Sequence, residues 1–367
     1  INLWNKKNLT ALDYCNNCKF KDFLKKQGAR KGEDLDLPML AEDTLYKKMF
    51  VQNDILWVLV NFGNLYAFDL NTKKLLPNHS IIGQKIYAAT PYIDNKIAFS
   101  TSKSVIKTWD YTTQKLMVID TLKSKMNTSQ LLLNSKNELY TITDNAIINI
   151  TTKQSFTLPD TLIKNVFGYY KSMYGVSAML LDSKDNLWVG MDQGEFGGGL
   201  FVFNTKTKRF EKIQIKTYPY IDYVVNIKSF YEDDSGFVYS TASLAHMSSA
   251  HAQVFKFNQQ FEGQEMYYAH RNDSIIPPVI YAGIGRFNHF LKQHFIYTPS
   301  GFFIKNDTLK GNHWTWDFYY SPRVPNNERY VINVRDIHFL DKKRLLLLST
   351  WDGIGLYDGK ELSFFKL

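Results

Sequence analysis

The chain has 367 residues, of which 44% are hydrophobic and 22% charged, the balance of a folded globular protein rather than a disordered one. No window approaches the ~18 consecutive apolar residues of a membrane span, and the start at Ile1 has no basic-then-apolar leader, so any signal peptide is expected to have been removed or never present. The net charge of +9 comes from 44 Lys and Arg against 35 Asp and Glu; the lysines are scattered through turns without a block of five basic residues, which argues against nucleic acid as a partner.

Aromatic residues are the outlying feature: 26 Phe, 23 Tyr and 7 Trp, 15% of the chain. They fall in short runs broken by polar turns, and such runs read as strands. Residues 1–44 stand outside this pattern and are expected to form an N-terminal extension or cap, with 45–367 as one all-β domain. In the extension, Lys19-Phe-Lys-Asp-Phe-Leu-Lys-Lys reads as a short amphipathic turn or helix. Cys15-Asn-Asn-Cys18 has metal or redox spacing. Zinc takes four ligands, and no second Cys pair or nearby His completes the set. A redox motif of this kind needs a βαβ context that the chain lacks. Cys15 and Cys18 therefore read as a local disulfide or two free thiols, and no metal or cofactor is expected.

From Tyr46 onward a unit recurs: polar turn, aromatic strand, link, second strand, Asn/Thr/Lys turn, third strand. It is clearest in Asp182-Ser-Lys-Asp-Asn-Leu-Trp188-Val-Gly190, followed by Gly199-Leu-Phe-Val-Phe-Asn204 and Arg209-Phe-Glu-Lys-Ile213. Anchored on the strand after the turn, the copies centre on Trp57, Phe99, Tyr140, Trp188, Tyr239, Ile296 and Leu347, at spacings of 42, 41, 48, 51, 57 and 51. An apolar run precedes most of the turns, making four strands per unit, A to D. A period of ~40–50 with four strands is a propeller signature. The expected fold is all-β: a single propeller, seven four-stranded blades, with strand B the most buried.

The copy around Trp188 resembles the repeat of the two-component-regulator propeller family: an Asp-led turn, Leu187-Trp188-Val189-Gly190, then Gly198-Gly199-Leu200 and the aromatic strand Phe201-Val202-Phe203. It departs at Met191, where the family has Thr, and in the insert 192–196. The resemblance spans roughly 45–367 and implies an extracytoplasmic sensory domain of Bacteroidota-type signalling proteins.

Chemistry-bearing patterns are sparse. No nucleophile elbow, Walker loop or dinucleotide loop occurs. Gly194-Glu-Phe-Gly-Gly-Gly199 lacks the trailing Lys-Ser/Thr of a phosphate cradle and reads as a strand connection. His289 and His294, five apart, fall on opposite sides of one predicted strand. Glu232-Asp-Asp234 has the look of a calcium cluster but reads as a tight A–B turn. No catalytic residues are nominated.

The A–B and C–D turns are short and polar, whereas the segments 166–174, 218–223, 242–251, 270–278 and 313–323 are long and are expected at the opposite end. They gather Tyr169, Tyr170, Tyr174, Tyr218, Tyr220, Tyr223, Arg271, Trp314, Trp316, Tyr319, Tyr320 and Arg323. Aromatics and Arg are enriched in recognition surfaces. The expectation is a non-catalytic recognition module docking a polypeptide partner of the cell envelope, outside the cytoplasm, as a subunit of an assembly, secretion or surface complex. The alternatives are a glycan-sensing input domain and a lyase or hydrolase acting at the channel mouth.

Overall fold

The structure is a computed structural model. It describes residues 12, 15, 18–27, 29, 46–60, 63–101, 104–122, 130–143, 146–159, 164–165, 168–169, 176–194, 198–216, 226–246, 249–270, 279, 281–310, 313–324, 327–331, 334–349 and 353–365. The chain divides into two compact units, one formed by 1–85 with 321–367 and the other by 86–320. Ahead of the strands the described residues include a short helix, Cys18–Lys26, ending on Lys25 and Lys26, which suit the negative end of the helix dipole. Its Leu24 is buried with Leu12 and Ala29, and the half-buried Cys15 packs against the three. The side chain of Cys18 lies outside the described residues.

Strands run from Tyr46 to Phe364, and every expected anchor falls on the second strand of an antiparallel meander. These strands are Ile55–Val60, Lys96–Thr101, Leu139–Ile142, Asn186–Asp192, Val238–His246, Gln293–Thr298 and Leu345–Ser349. The eleven-residue strand Ile81–Pro91 carries two residues at positive φ, Gly83 and Lys85 (+78° and +50°). After them it pairs with Lys96–Thr101, from Ile86 opposite Thr101 to Pro91 opposite Ile97. Further on lie four-stranded sheets at 130–157, 176–211, 285–320 and 334–364, and a five-stranded one at 214–270. In the last of these Gln214–Lys216 is added parallel to Glu262–Gln264, outside the meander proper.

Burial follows strand position. The second strands are buried almost throughout, as in Asn186–Asp192 and Leu345–Ser349. The outermost strands Lys115–Thr121 and Gln154–Thr157 are mostly exposed. Because side chains alternate along a strand, each second strand serves two neighbours. Leu187, Val189 and Met191 pack against Tyr140, Ile142 and Ile147 of the preceding sheet. Trp188 points the other way, into a cluster with Ile227, Phe230, Ala242, Phe255 and Phe257 of the following one. The same face-to-face stacking joins Tyr239 and Val254 to Ile296, Phe303, Trp314 and Trp316, and Ala98 and Ile106 to Leu131 and Leu139. In the smaller unit the first and last sheets share one core, in which Met49, Leu56, Val58 and Phe68 meet Leu346, Leu348, Ile354 and Phe365.

Gly190 sets the spacing of one such interface. A Cβ there would lie 2.4 Å from Ile227 Cγ2 and 2.9 Å from Phe230 Cε2. Gly190→Ala is expected to destabilise the fold by about 1–3 kcal/mol through overpacking, measured as a lowered urea midpoint. An unchanged midpoint would refute the tight contact.

Two segments expected as long connections are strands instead. The 242–251 stretch is a hairpin in continuous register, from Val238 opposite Phe257 to His246 opposite Ser249. His313–Tyr320 is the outermost strand of its sheet and pairs with Gly301–Lys310. Its sequence, His-Trp-Thr-Trp-Asp-Phe-Tyr-Tyr, sends two tryptophans inward by strand alternation, and their burial outweighs the loop-like mix of polar residues. This hairpin turns between Lys310 and His313, the C–D position, so elaboration is not confined to the B–C and D–A end.

Candidate functional site

Four of the A–B turns repeat one piece of local chemistry. Six residues before the anchors Tyr140, Trp188, Tyr239 and Leu347 stand Asn134, Asp182, Asp233 and Asp341, which close the turn. Asp182 Oδ1 accepts from the backbone N–H groups of Lys184 and Asn186, and its Oδ2 accepts from the Asn186 side-chain amide and from Trp188 Nε1 at 2.9 Å. Asp233 does the same for Ser235 and Phe237 and receives the Tyr239 hydroxyl. Asn134 holds the N–H groups of Lys136 and Glu138. Three residues before the anchor the backbone is left-handed, at Asp54, Asn137, Asp185 and Gly236 (φ +57°, +59°, +67° and +75°), a conformation that Gly, Asn and Asp tolerate. Turn cap and core aromatic are thus one hydrogen-bonded unit.

Successive turns are also tied to one another through carboxylates. The Ser135 N–H and hydroxyl donate to Asp185 at 2.9 and 2.5 Å. Those of Ser183 donate to Glu232 at 2.8 and 2.5 Å. Asp234 takes His289 Nδ1 at 2.5 Å and the Lys292 ammonium, and these two hold its carboxyl below the usual range. The run Glu232-Asp233-Asp234 therefore divides its work: one side chain to the preceding turn, one to its own, one to the next. No group of three or more metal-ligating side chains occurs among the described residues.

These turns border a cleft of about 550 Å³ in the larger unit, lined by Met179, Leu180, Ser183 and Phe230 to Asp234 together with Gly236, Arg286, Phe287 and His289. Beside it, His294 sits in a box of rings, with centroids 4.6 Å from Trp314, 4.7 Å from Tyr239, 4.9 Å from Phe287 and 5.8 Å from Tyr231. Its Nδ1 and the Tyr231 hydroxyl are buried without a hydrogen-bond partner among the described residues. Burial pushes His294 down to about 4, with Asp233 opposing and Lys305 and Lys256 assisting. Burial, reinforced by the Asp233 charge, holds Tyr231 and Tyr239 above their ordinary range. All three are kept neutral at pH 7, which is the response of groups absorbed into a core rather than poised beside a partner. His289 and His294 do not share a strand as their spacing implied: His289 is in the turn and His294 on the second strand, and both rings pack edge-on to Phe287.

Of the residues assigned to a recognition face, Trp314 and Trp316 are 6% and 4% exposed and belong to the core cluster behind His294. That placement corrects the expectation of a surface loop. Tyr319 is 38% exposed on the same strand, with its ring edge-on to Phe295, and Tyr320 is half-buried. Tyr169 and Arg323 lie on short two-stranded ribbons, Lys164–Asn165 with Gly168–Tyr169 and Arg323–Val324 with Asn327–Val331; their side chains fall outside the described residues. So do Tyr170, Tyr174, Tyr218, Tyr220, Tyr223 and Arg271.

A different surface stands out. The outer strand Lys115–Thr121 exposes four consecutive apolar side chains: Leu116 at 42%, Met117 at 52%, Val118 at 61% and Ile119 at 37%. It is an outermost strand and, among the described residues, pairs with Val105–Asp110 alone. The run Leu-Met-Val-Ile was legible as a strand, but nothing in it separates an exposed outer strand from a buried inner one.

No family model and no curated relative matches the sequence. Among solved structures, the chain is similar to a catalytically inactive variant of virginiamycin B lyase from Staphylococcus aureus bound to quinupristin, at 14% identity and a TM-score of 0.59 over 89% of this chain and 97% of that one. It is similar to U3-55K at 9% identity and TM-score 0.57, covering 88% and 97%. It is also similar to the β-propeller domain of Myceliophteria thermophila Cps50 (Swd1) at 12% identity and TM-score 0.54, covering 87% and 99%. The fold is a β-propeller. At these identities the likeness extends to architecture, which hosts lyases and non-enzymatic scaffolds alike.

Proposed function

We propose that this propeller is a non-catalytic recognition module that docks a polypeptide partner. The observation that carries the reading is the exposed apolar strand Lys115–Thr121. An exposed apolar strand at a sheet edge is a ready template for another chain, and proteins that carry one ordinarily cover it. The carboxylates of the turn face support the same reading, since Asp185, Glu232, Asp233 and Asp234 all serve as turn-to-turn or turn-to-core ties. The finer picture keeps seven blades with the residues before Tyr46 as an extension. It also keeps an extracytoplasmic setting in an envelope complex, drawn from the resemblance of the Asp182–Gly190 repeat to two-component-regulator propellers.

A second reading, ligand sensing, is favoured by the cleft. There Phe230, Tyr231 and Phe287 offer rings while Glu232, Arg286 and His289 offer polar groups suited to a sugar. The two readings separate by mutation. Val118→Lys lies at an exposed position and should leave the fold intact. It is expected to reduce recovery of a polypeptide partner from envelope extracts at least tenfold, whereas Arg286→Ala in the cleft leaves recovery unchanged. Equal recovery with Val118→Lys would overturn the docking surface.

A further inference from the structure

We infer that the Lys115–Thr121 edge takes up an extended segment of its partner by strand addition, an inference that rests on the docking reading above and specifies its geometry. Among the described residues the strand is hydrogen-bonded along one side, to Val105–Asp110. Regular pairing runs from Asp110 opposite Lys115 to Lys107 opposite Val118, and Ile119 sits at a register shift before Ile106 opposite Asp120. The outward row of backbone groups over Lys115–Val118 has no partner among the described residues.

Both faces of this edge are apolar. Strand alternation puts Leu116 and Val118 on one side of the sheet and Met117 on the other, with Ile119 at the register shift. A flat ligand or a lipid surface covers one side only. A strand laid against the edge satisfies the backbone and meets both sides with its own alternating side chains.

The molecule treats its other outer edges differently. Gln154–Thr157, Arg209–Glu211 and Leu362–Phe364 are only three or four residues long. The nine-residue strand Glu262–His270 is covered at its start by Gln214–Lys216, so strand addition to an outer edge already occurs within this fold. His313–Tyr320 turns Trp314 and Trp316 into the core, and its ladder is broken twice.

The occupant is a partner polypeptide rather than a second copy. Four exposed side chains amount to a few hundred Å² at most, well below the roughly 800 Å² per subunit of a stable interface. Charge narrows the choice further. Among the described residues Lys115 makes no ion pair, whereas Asp110 caps its own turn through Thr112 and Thr113, and Asp120 is held by the Thr121 N–H and faces Lys153 at 4.0 Å. The complementary segment is therefore about six residues long, apolar on both faces, with an acidic residue opposite Lys115.

The probes are a synthetic heptapeptide, Asp-Val-Ile-Val-Ile-Val-Glu, its analogue N-methylated at alternate amides, and a version with Lys at both ends. Hydrogen exchange of the 115–121 amides is expected to slow at least tenfold with the first peptide. The N-methylated analogue is expected to give no slowing, and the Lys-ended version at least fivefold weaker binding. If the N-methylated peptide binds equally well, side chains alone hold the partner, and strand addition is wrong while docking stands. Failure of the acidic peptide to slow exchange, with partner recovery still lost in Val118→Lys, has the same meaning. If neither effect is seen, both readings fall. A wild-type dimer in light scattering that Val118→Lys dissolves would assign the edge to a second copy and overturn the inference.

Discussion

Trp188→Ala is expected to lower the unfolding free energy by about 3–5 kcal/mol. Trp188 is 1% exposed and fills the space between two stacked sheets, with ring centroids 5.1 Å from Phe257, 5.7 Å from Phe261 and 6.1 Å from Phe230. Its Nε1 also satisfies Asp182 Oδ2, the carboxylate that closes the A–B turn. Truncation therefore opens a cavity and strips a donor from a buried acid at the same time. Trp188→Phe separates the two effects: most of the apolar volume stays and the donor goes, for an expected loss of about 1–3 kcal/mol. Urea denaturation of the three proteins measures both. If alanine and phenylalanine cost the same, packing at this interface contributes little and the stacked-sheet account fails.

The second large effect is a dependence on pH with a known direction. His294 is held down to about 4 by burial in its ring box, against an ordinary value near 6.5 in the unfolded chain. Between these values the unfolded chain binds the extra proton and the folded one does not. Stability therefore falls as the pH drops from 6.5 to 4, by roughly 3 kcal/mol in total, and is fully present above that window. The depressed carboxyls titrate lower. Glu138 is brought to about 2 by Lys208, Asn134 and Tyr140 acting against its burial, and Asp341 reaches about 2 through the N–H and guanidinium of Arg344. Their stabilisation is lost progressively as the pH falls from about 4, their ordinary range, to about 2, so they take over where the histidine's window ends. His294→Phe keeps an aromatic ring in the box and should flatten the wild-type decline between pH 6.5 and 4. If the variant declines as steeply as the wild type, other groups carry the acid sensitivity.

Much of the architecture was legible because two independent signals agreed. The polar turn with an Asx residue six places before an aromatic anchor is a hydrogen-bonding requirement, visible in Asp182 with Trp188, Asp233 with Tyr239 and Asn134 with Tyr140. The apolar strand after it is a burial requirement. Where both are present the second strand was located to the residue, and even the weaker copies at Phe99 and Ile296 fell on second strands. Outer strands carry only half of this signal. They face one neighbour, so their composition drifts toward that of loops, and His313–Tyr320 was read as a connection for that reason. The recognition residues suffered most from this. Trp314 and Trp316 resemble a binding surface in composition, and only the pairing of their strand with Gly301–Lys310 shows that alternation turns them inward. The exposed run Leu116–Ile119 posed the converse problem, because four apolar residues in a row are the usual mark of an inner strand.

The shared core of the first and last sheets has a consequence for how the protein is made. Met49, Leu56, Val58 and Phe68 emerge early, yet their partners Leu346, Leu348, Ile354 and Phe365 come last. At 5–20 residues per second the wait is roughly 15–55 s. During it the intervening sheets can stack as each is completed, while the opening one stands with a greasy flank uncovered. Nascent chains stalled before residue 345 are thus the species most in need of a chaperone, and a clipped C-terminus would leave the earliest-made part of the molecule permanently unfinished.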